Sequence, residues 1–298
     1  MMKKFGLYLT LLLSTVSIVL NGCATRSGSL EPYGCPKSSL KKKVMVSPFV
    51  DHSGLGRGVA TSISRYIVDK IRASGKAIVF EAPHVGEFDE ATELSYGVVV
   101  NRALLSKAEE MGMNMLLTGT ISAVDKQERL GGVWPFRKPN VHFQVSLVVN
   151  LIDPQNGTVI LTHMETDGIE LNMEELEFTE KGWVSDQLKR KVLPKLAKRA
   201  AKLLIEAIES ERWEGTILEV EDGSIRISAG KDVGVKPGHR FDVFGGRKVV
   251  KAADGRQFCI SWKRIGRLSV TRVGETTSEA RPLEGNGFTR GQIIVSLD

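Results

Sequence analysis

Hydrophobic and polar positions along this chain fall into three textures. Residues 5–20 are an apolar run broken only by Gly and hydroxyl residues, and residues 24 to about 40 are rich in Ser, Gly, Lys and Pro with little periodicity. From residue 44 to about 210, short apolar runs alternate with helical stripes. Beyond Gly215, short strand-like runs are separated by Gly turns.

The middle texture predicts an α/β unit. Val44-Met45-Val46-Ser47-Pro48-Phe49-Val50 reads as a strand ended by Asp51-His52-Ser53-Gly54. A helix is expected from near Leu55, because Val59, Ile63, Ile67 and Ile71 recur at the spacing of one helix face. Gly75 stops it, and Ala77-Ile78-Val79-Phe80 is the next strand, so a crossover connection is expected. A second helix is expected over 96–111, with Gly112 at the left-handed cap position, and a buried strand over 115–121. Residues 141–152 alternate as a strand, and Asn156-Gly157 predicts a hairpin returning through Val159-Ile160-Leu161-Thr162. The stretches 122–140 and 163–182 are expected to be loops. A long helix follows over 183–210, apolar at Leu188, Val192, Leu196, Ala200, Leu204 and Ile208, with Pro194 placed to kink it. Its other side carries Lys189, Arg190, Lys195, Lys198, Arg199 and Lys202, and reads as a solvated face.

The last texture predicts many short strands over residues 216–220, 224–228, 241–244, 265–273 and 291–295, with turns at Asp222-Gly223, Pro237-Gly238 and Asp254-Gly255. Such spacing argues for a small closed barrel or roll. The fold class expected is therefore α+β. Its parts are a leader over 1–22, a tether over 23–40, an α/β domain over 41–211 and an all-β domain over 212–298.

The first texture looks like an address. Lys3 and Lys4 precede the apolar run, and Leu20-Asn21-Gly22-Cys23 looks like a lipobox, in which the cysteine receives the lipid. The run is short for a bilayer span, which needs about 20 residues, and it ends at a small-residue cleavage site. Cys23 is thus the expected lipidation site. Ala24 follows it where Asp would retain the protein at the inner membrane, so the outer membrane, periplasmic face, is expected. No second long apolar segment appears, so the lipid alone is expected to hold the mature protein.

Composition changes this picture little. The formal net charge of +6 over 298 residues is mild, and part of it lies in the leader and in Lys41-Lys42-Lys43, so nucleic acid is not implied as a partner. Besides Cys23 the chain has Cys35 and Cys259, which could pair as a disulfide in an oxidising compartment or stay as two free thiols.

Candidate chemistry is sparse. Asp51-His52-Ser53-Gly54-Leu55-Gly56-Arg57-Gly58 lies between a strand and a helix, where backbone donors could cradle a phosphate. It lacks the spacing of either nucleotide fingerprint, and Asp51 or Ser53 as a helix cap is the reading adopted. His52, His84, His142, His163 and His239 are scattered and form no metal-ligand spacing. Ser47, Ser53 and Ser185 lack an elbow motif or a placed base. Residues 170–180 are acidic, but Met173, Leu176 and Phe178 interleave the carboxylates, which suits an amphipathic segment better than an acid/base pair. No enzyme and no cofactor are expected. Trp134-Pro135-Phe136, between Gly131-Gly132 and Pro139, stands apart, because an apolar loop tip is unfavourable to expose. Trp134 and Phe136 either pack internally or contact a partner or neighbouring subunit.

Several stretches resemble a group of bacterial envelope proteins. Val44 through Phe49, Ser53-Gly54, Ala73-Ser74-Gly75 and Ile78-Val79-Phe80-Glu81 resemble the start of a periplasmic domain with a fold like the N-terminal domain of the translocation protein TolB. That domain is shared by the curli secretion channel lipoprotein, the lipoprotein activators of penicillin-binding proteins, and flagellar assembly protein T. Met111-Gly112, Leu117-Thr118-Gly119-Thr120-Ile121 and Asp153-Pro154-Gln155-Asn156-Gly157 continue the likeness. Gly234-Val235-Lys236-Pro237-Gly238, Ile265-Gly266-Arg267-Leu268 and Arg290-Gly291-Gln292-Ile293 resemble the C-terminal β domain of flagellar assembly protein T. The resemblance implies a TolB N-terminal-like α/β sandwich followed by a barrel-like domain. It also implies a periplasmic component of the flagellar basal body, with ring proteins as partners and a homo-oligomeric ring as the assembly. An activator of a cell-wall synthase is the alternative. An export-channel subunit ranks last, because the expected loops are too short and too charged to build a membrane barrel.

Overall fold

Strand β1 (Lys42–Val46) carries apolar residues on both sides, and both sides are covered in the folded chain. The computed structural model describes residues 39–82, 91–94, 98–132, 134–135, 137–221, 223–245, 247–251, 257–261 and 263–297. Val44 and Val46 face one core, while Met45 faces another. Parallel pairing joins β1 to β3 (Ala77–Glu81) on one side and to β6 (Met115–Ile121) on the other. A two-residue strand, β2 (Val50–Asp51), extends the pairing along β6.

Helix α1 (Val59–Ser74) provides the crossover, burying Ile63, Ile67 and Ile71 against the sheet. It ends where expected, at Gly75 with φ 68°. It starts later than expected. Asp51 accepts from the Ser53 amide, and Ser53 Oγ accepts from the Leu55 amide, so both residues organise a turn before the helix. Gly58, with φ 84° and no side-chain cap, marks the helix start. The cap expected of Asp51 or Ser53 is corrected accordingly. Their side chains lie too far upstream to reach the first free amides of α1.

The second expected helix is half strand. β4 (Ala91–Glu93) and β5 (Val99–Asn101) pair antiparallel, and α2 (Arg102–Glu110) begins only after Asn101, whose side chain accepts from the Ala103 and Leu104 amides. β-branched Val98, Val99 and Val100 prefer the pleated backbone over the start of a helix. Gly112, at φ 64°, closes α2 as predicted.

Antiparallel to β6 runs β8 (Lys138–Asp153), the longest strand, whose residues 147–152 pair with β6. Where β6 ends, β7 (Asp125–Gly131) takes over the same flank of β8, from Gln144 to Lys138. On the other flank β9 (Thr158–Asn172) pairs with β8 along almost its whole length. The expected loops at 122–140 and 163–182 are therefore largely strands. Charged positions hid them: β7 reads Asp-Lys-Gln-Glu-Arg-Leu-Gly, with no apolar alternation to mark it.

A short helix, α3 (Met173–Phe178), follows β9, opened by a reciprocal capping box between Asn172 and Glu175. The long helix is continuous but changes pitch. α4 (Trp183–Gln187) widens into a π turn (Leu188–Val192) before α5 (Leu193–Ser210). Pro194 lacks an amide and its ring crowds the preceding turn, so the wider turn just before it accommodates both. Together α1 and α5 cover one face of the sheet through Leu196, Ala197, Ala200, Leu204 and Ile208, and α2 covers the other.

The C-terminal strands close into a barrel as expected. β10 (Glu214–Glu221), β11 (Ser224–Ile227), β16 (Ser278–Glu284), β15 (Arg264–Val273), β12 (Arg240–Phe244) and β17 (Ile293–Ser296) pair antiparallel in that order, and β17 returns to β10. Outside it, β13 (Arg247–Lys251) and β14 (Gln257–Ser261) make a separate hairpin. The barrel interior is filled by Trp213 and Phe241, with ring centroids 5.6 Å apart, and by Ile217, Ile227 and Val243.

Barrel and sheet meet at the start of β1. Leu40, inside the segment expected to be a tether, is buried in the barrel core, and Ile78 of β3 packs against that core. The Lys41 amide donates to Val233 O, Lys43 pairs with Asp232 at 3.1 Å, and Asn114 Nδ2 donates to Glu214 O at 2.7 Å. Lys42 is buried beside Glu209, and burial lowers its pKa from the ordinary lysine value. Glu211 is shifted the other way: burial first, then the charge of Asp153, raises its carboxyl. Among the described residues, no helix is long and apolar enough to cross a membrane.

Candidate contact site at the tip of the sheet

The far end of β7, β8 and β9 carries the three most exposed large apolar side chains among the described residues, Phe178, Trp134 and Leu130, with Met173 nearby in sequence. Register fixes the place: Gly131 lies opposite Lys138, Leu130 opposite Pro139, and Asn140 opposite Asn172, from which α3 springs. Leu130 is 66% exposed, Trp134 78%, Met173 39% and Phe178 86%. Lys138 is 9 residues from Leu147, the last residue of β8 that pairs with β6, so the tip extends about 30 Å beyond β6 along β8.

Local structure explains why these side chains stay outside. The β7–β8 turn carries Trp134 beyond the last paired residues, where no further strand can cover it. With six residues, α3 is too short to bury an apolar stripe, and none of its residues is buried. Between turn and helix lies an open depression of about 510 Å³ lined by Gly131, Gly132, Lys138, Asn140, Glu170 and Glu175. Asn140 Nδ2 donates to Glu170 at 2.6 Å across its floor. Nearer the sheet, Asp125 accepts from Gln127 and Gln144, and those bonds lower its pKa and hold the root of β7 on β8. Exposed apolar side chains near polar groups suit protein recognition, the former being desolvated on contact and the latter supplying directional bonds.

Of the residues singled out in the sequence, Trp134 is exposed and does not pack internally. Phe136, Cys23, Cys35 and His84 lie outside the described residues. Cys259 sits on β14 opposite Val249. The remaining histidines do not converge. His52 is exposed, His163 faces Glu165 at 2.9 Å, and His239 contacts Ser296 and stacks on Phe241. His142 Nδ1 is buried without a partner among the described residues. Among those residues no group of His, Cys, Asp and Glu could hold a metal ion. The acidic stretch 170–180 divides between the end of β9 and α3, where Glu174 and Glu175 face the helix N-terminus favourably. Met173 and Phe178 were read from the sequence only as apolar positions of an amphipathic segment, and Leu130 was not singled out. The available signal was an apolar residue in a segment too short or too charged to bury it.

No family model and no curated protein matches the sequence. Solved structures with a similar fold include the PelC dodecamer from Paraburkholderia phytofirmans. It is 16% identical with a TM-score of 0.35, and the match covers 60% of this chain and 95% of that one. A lipoprotein from Neisseria meningitidis is 13% identical with a TM-score of 0.29, covering 55% of this chain and 99% of that one. The C-terminal domain of LpoB from Salmonella enterica is 14% identical with a TM-score of 0.26, covering 44% and 84%. Likeness at this level is no ground for a function.

Proposed function

We propose that this chain is a lipid-anchored envelope protein that works by protein contacts, with the exposed tip of β7, β8 and α3 as its main docking surface. The observation that carries the reading is the cluster of Leu130, Trp134, Met173 and Phe178 at one projecting end. Large apolar side chains exposed on such a projection are unfavourable in water, and covering them with a partner is favourable. Anchoring follows from the lipobox-like Leu20-Asn21-Gly22-Cys23, with the acyl group on Cys23 and the outer membrane, periplasmic face, as destination.

The finer reading is a structural component of the flagellar basal body, contacting ring proteins and further copies of itself. Support comes from the resemblance of both halves, in this order, to flagellar assembly protein T. Its action is positional and needs no catalytic group. Deleting the gene is expected to impair swimming and leave wall composition unchanged; altered wall composition with normal swimming would replace this reading with that of a cell-wall synthase activator. In cells, a photo-crosslinker at position 134 is expected to capture a basal-body protein or a second copy. Mass spectrometry of the mature amino terminus tests the anchor, and an unmodified Cys23 would remove it.

A further inference from the structure

The most strongly charged surface that the tip leaves unused is the outer face of α5 and the turn before it. From 190 to 202 the exposed positions are Arg190, Lys191, Lys195, Lys198, Arg199 and Lys202, interrupted only by Pro194. Lys191, Lys195, Lys198 and Lys202 are spaced four, three and four residues apart, which sets them in one line along the helix. That line is about 17 Å long at the helical rise.

Their pairing is lopsided. Arg199 reaches Glu165 at 3.5 Å and Asp167 at 3.8 Å, and Lys202 reaches Glu206 at 3.8 Å. Arg190, Lys191, Lys195 and Lys198 make no ion pair with a described residue. Beside α5, α1 adds exposed Arg65 and Lys70 to the same layer. Like charges four residues apart on a helix repel, so a row in which Lys202 alone has a counter-charge weakens the helix that carries it. An anionic surface laid along the row would relieve that repulsion.

We propose that this face docks on an anionic phospholipid surface. A line of flexible lysines, each a mobile point charge, suits a fluid array of phosphate headgroups better than a single fixed ligand. The membrane is also the anionic surface that the anchor would hold nearest, and an acyl signal joined to a polybasic patch binds far more firmly than either alone. This second point rests on the anchored reading, whereas the electrostatic docking does not.

The test therefore removes the lipid. The chain from residue 23 onward, carrying Cys23→Ser, is mixed with vesicles of phosphatidylglycerol and phosphatidylcholine in roughly equal parts, where each basic residue is worth about a fivefold gain in binding. It is expected to sediment with these vesicles at low salt and not with pure phosphatidylcholine. Binding should be released by about 0.5 M salt, where the screening length falls to a few ångströms. Replacing Lys191, Lys195, Lys198 and Lys202 with Gln should lower partitioning by about 600-fold at that gain per residue. Replacing the same four with Arg should preserve it, and unchanged thermal melting of both variants shows that the fold is intact. Equal binding by the Gln variant, equal binding to pure phosphatidylcholine, or binding to soluble heparin but not to vesicles would overturn the proposal. An unmodified Cys23 in cells would remove the anchor and leave the vesicle result standing.

Discussion

In the barrel, six short strands close on one another, so each strand is paired on both sides and the interior is filled by Trp213 and Phe241. In the sheet, β8 and β9 run 16 and 15 residues, and β9 pairs with β8 alone among the described residues. One β assembly removes its edges; the other extends past its helical cover and ends in exposed apolar side chains. Closure secures stability without offering a surface, while extension offers a surface that contributes little to the fold. The two regions should therefore respond in opposite ways to the loss of a large apolar side chain.

The largest effect is expected in the barrel. Phe241 is fully buried between Trp213 and His239. Phe241→Ala should destabilise the chain by about 3–5 kcal/mol in denaturant unfolding, through lost burial and the cavity left behind. A loss under 1 kcal/mol, roughly the size of a surface effect, would mean that the barrel does not unfold with the rest.

An intermediate effect belongs to the α2 side of the sheet. Asn101 caps α2 through two amides, and Asn101→Ala should cost about 1 kcal/mol in the same measurement. An Asp at that position should keep most of the stability, since its carboxylate accepts the same bonds.

The junction between the two regions should show a pH signature smaller than either. Burial and Asp153 raise the Glu211 carboxyl above its ordinary 4.5, so the folded state holds the proton more tightly than the unfolded one. Relative to Glu211→Gln, the parent should be unimpaired below that pH and lose stability as pH rises through the raised value. Unfolding curves of both chains between roughly pH 4 and 8 measure the difference; a gap that widens towards acid would reverse the assignment.

The smallest stability effect is expected at the tip. Trp134→Ser and Phe178→Ser should each change stability by less than about 0.5 kcal/mol, yet Phe178→Ser should abolish capture of the partner by the crosslinker at position 134. A large loss of stability would show that these side chains support the fold, and the contrast between barrel and tip would collapse.

Much of the fold was legible in the sequence. The four-residue spacing of Val59, Ile63, Ile67 and Ile71 identified α1, and Gly75 and Gly112 marked the ends of α1 and α2. Asn156-Gly157 announced the β8–β9 hairpin, and the evenly spaced Gly turns announced the barrel. The misses share a cause. Val98, Val99 and Val100 were read into a helix, and 125–131 and 163–172 were read as loops. In each, the strand is stabilised by pairing with a neighbouring strand and not by its own periodicity. Of the four residues at the contact site only Trp134 stood out, on a Gly-flanked loop, whereas Met173 and Phe178 looked like ordinary amphipathic positions.

What the sequence determined by itself is whatever local chemistry dictates: helix stripes, glycine stops and turn dipeptides. The tertiary structure alone decided how far β8 and β9 extend, that Leu40 is packed into the barrel, and that α3 and the β7–β8 turn share one end. Pairing register and packing are long-range and couple residues 192 apart, as Lys41 and Val233 are. No window of sequence contains both partners of such a contact, so only the folded chain brings them into one place.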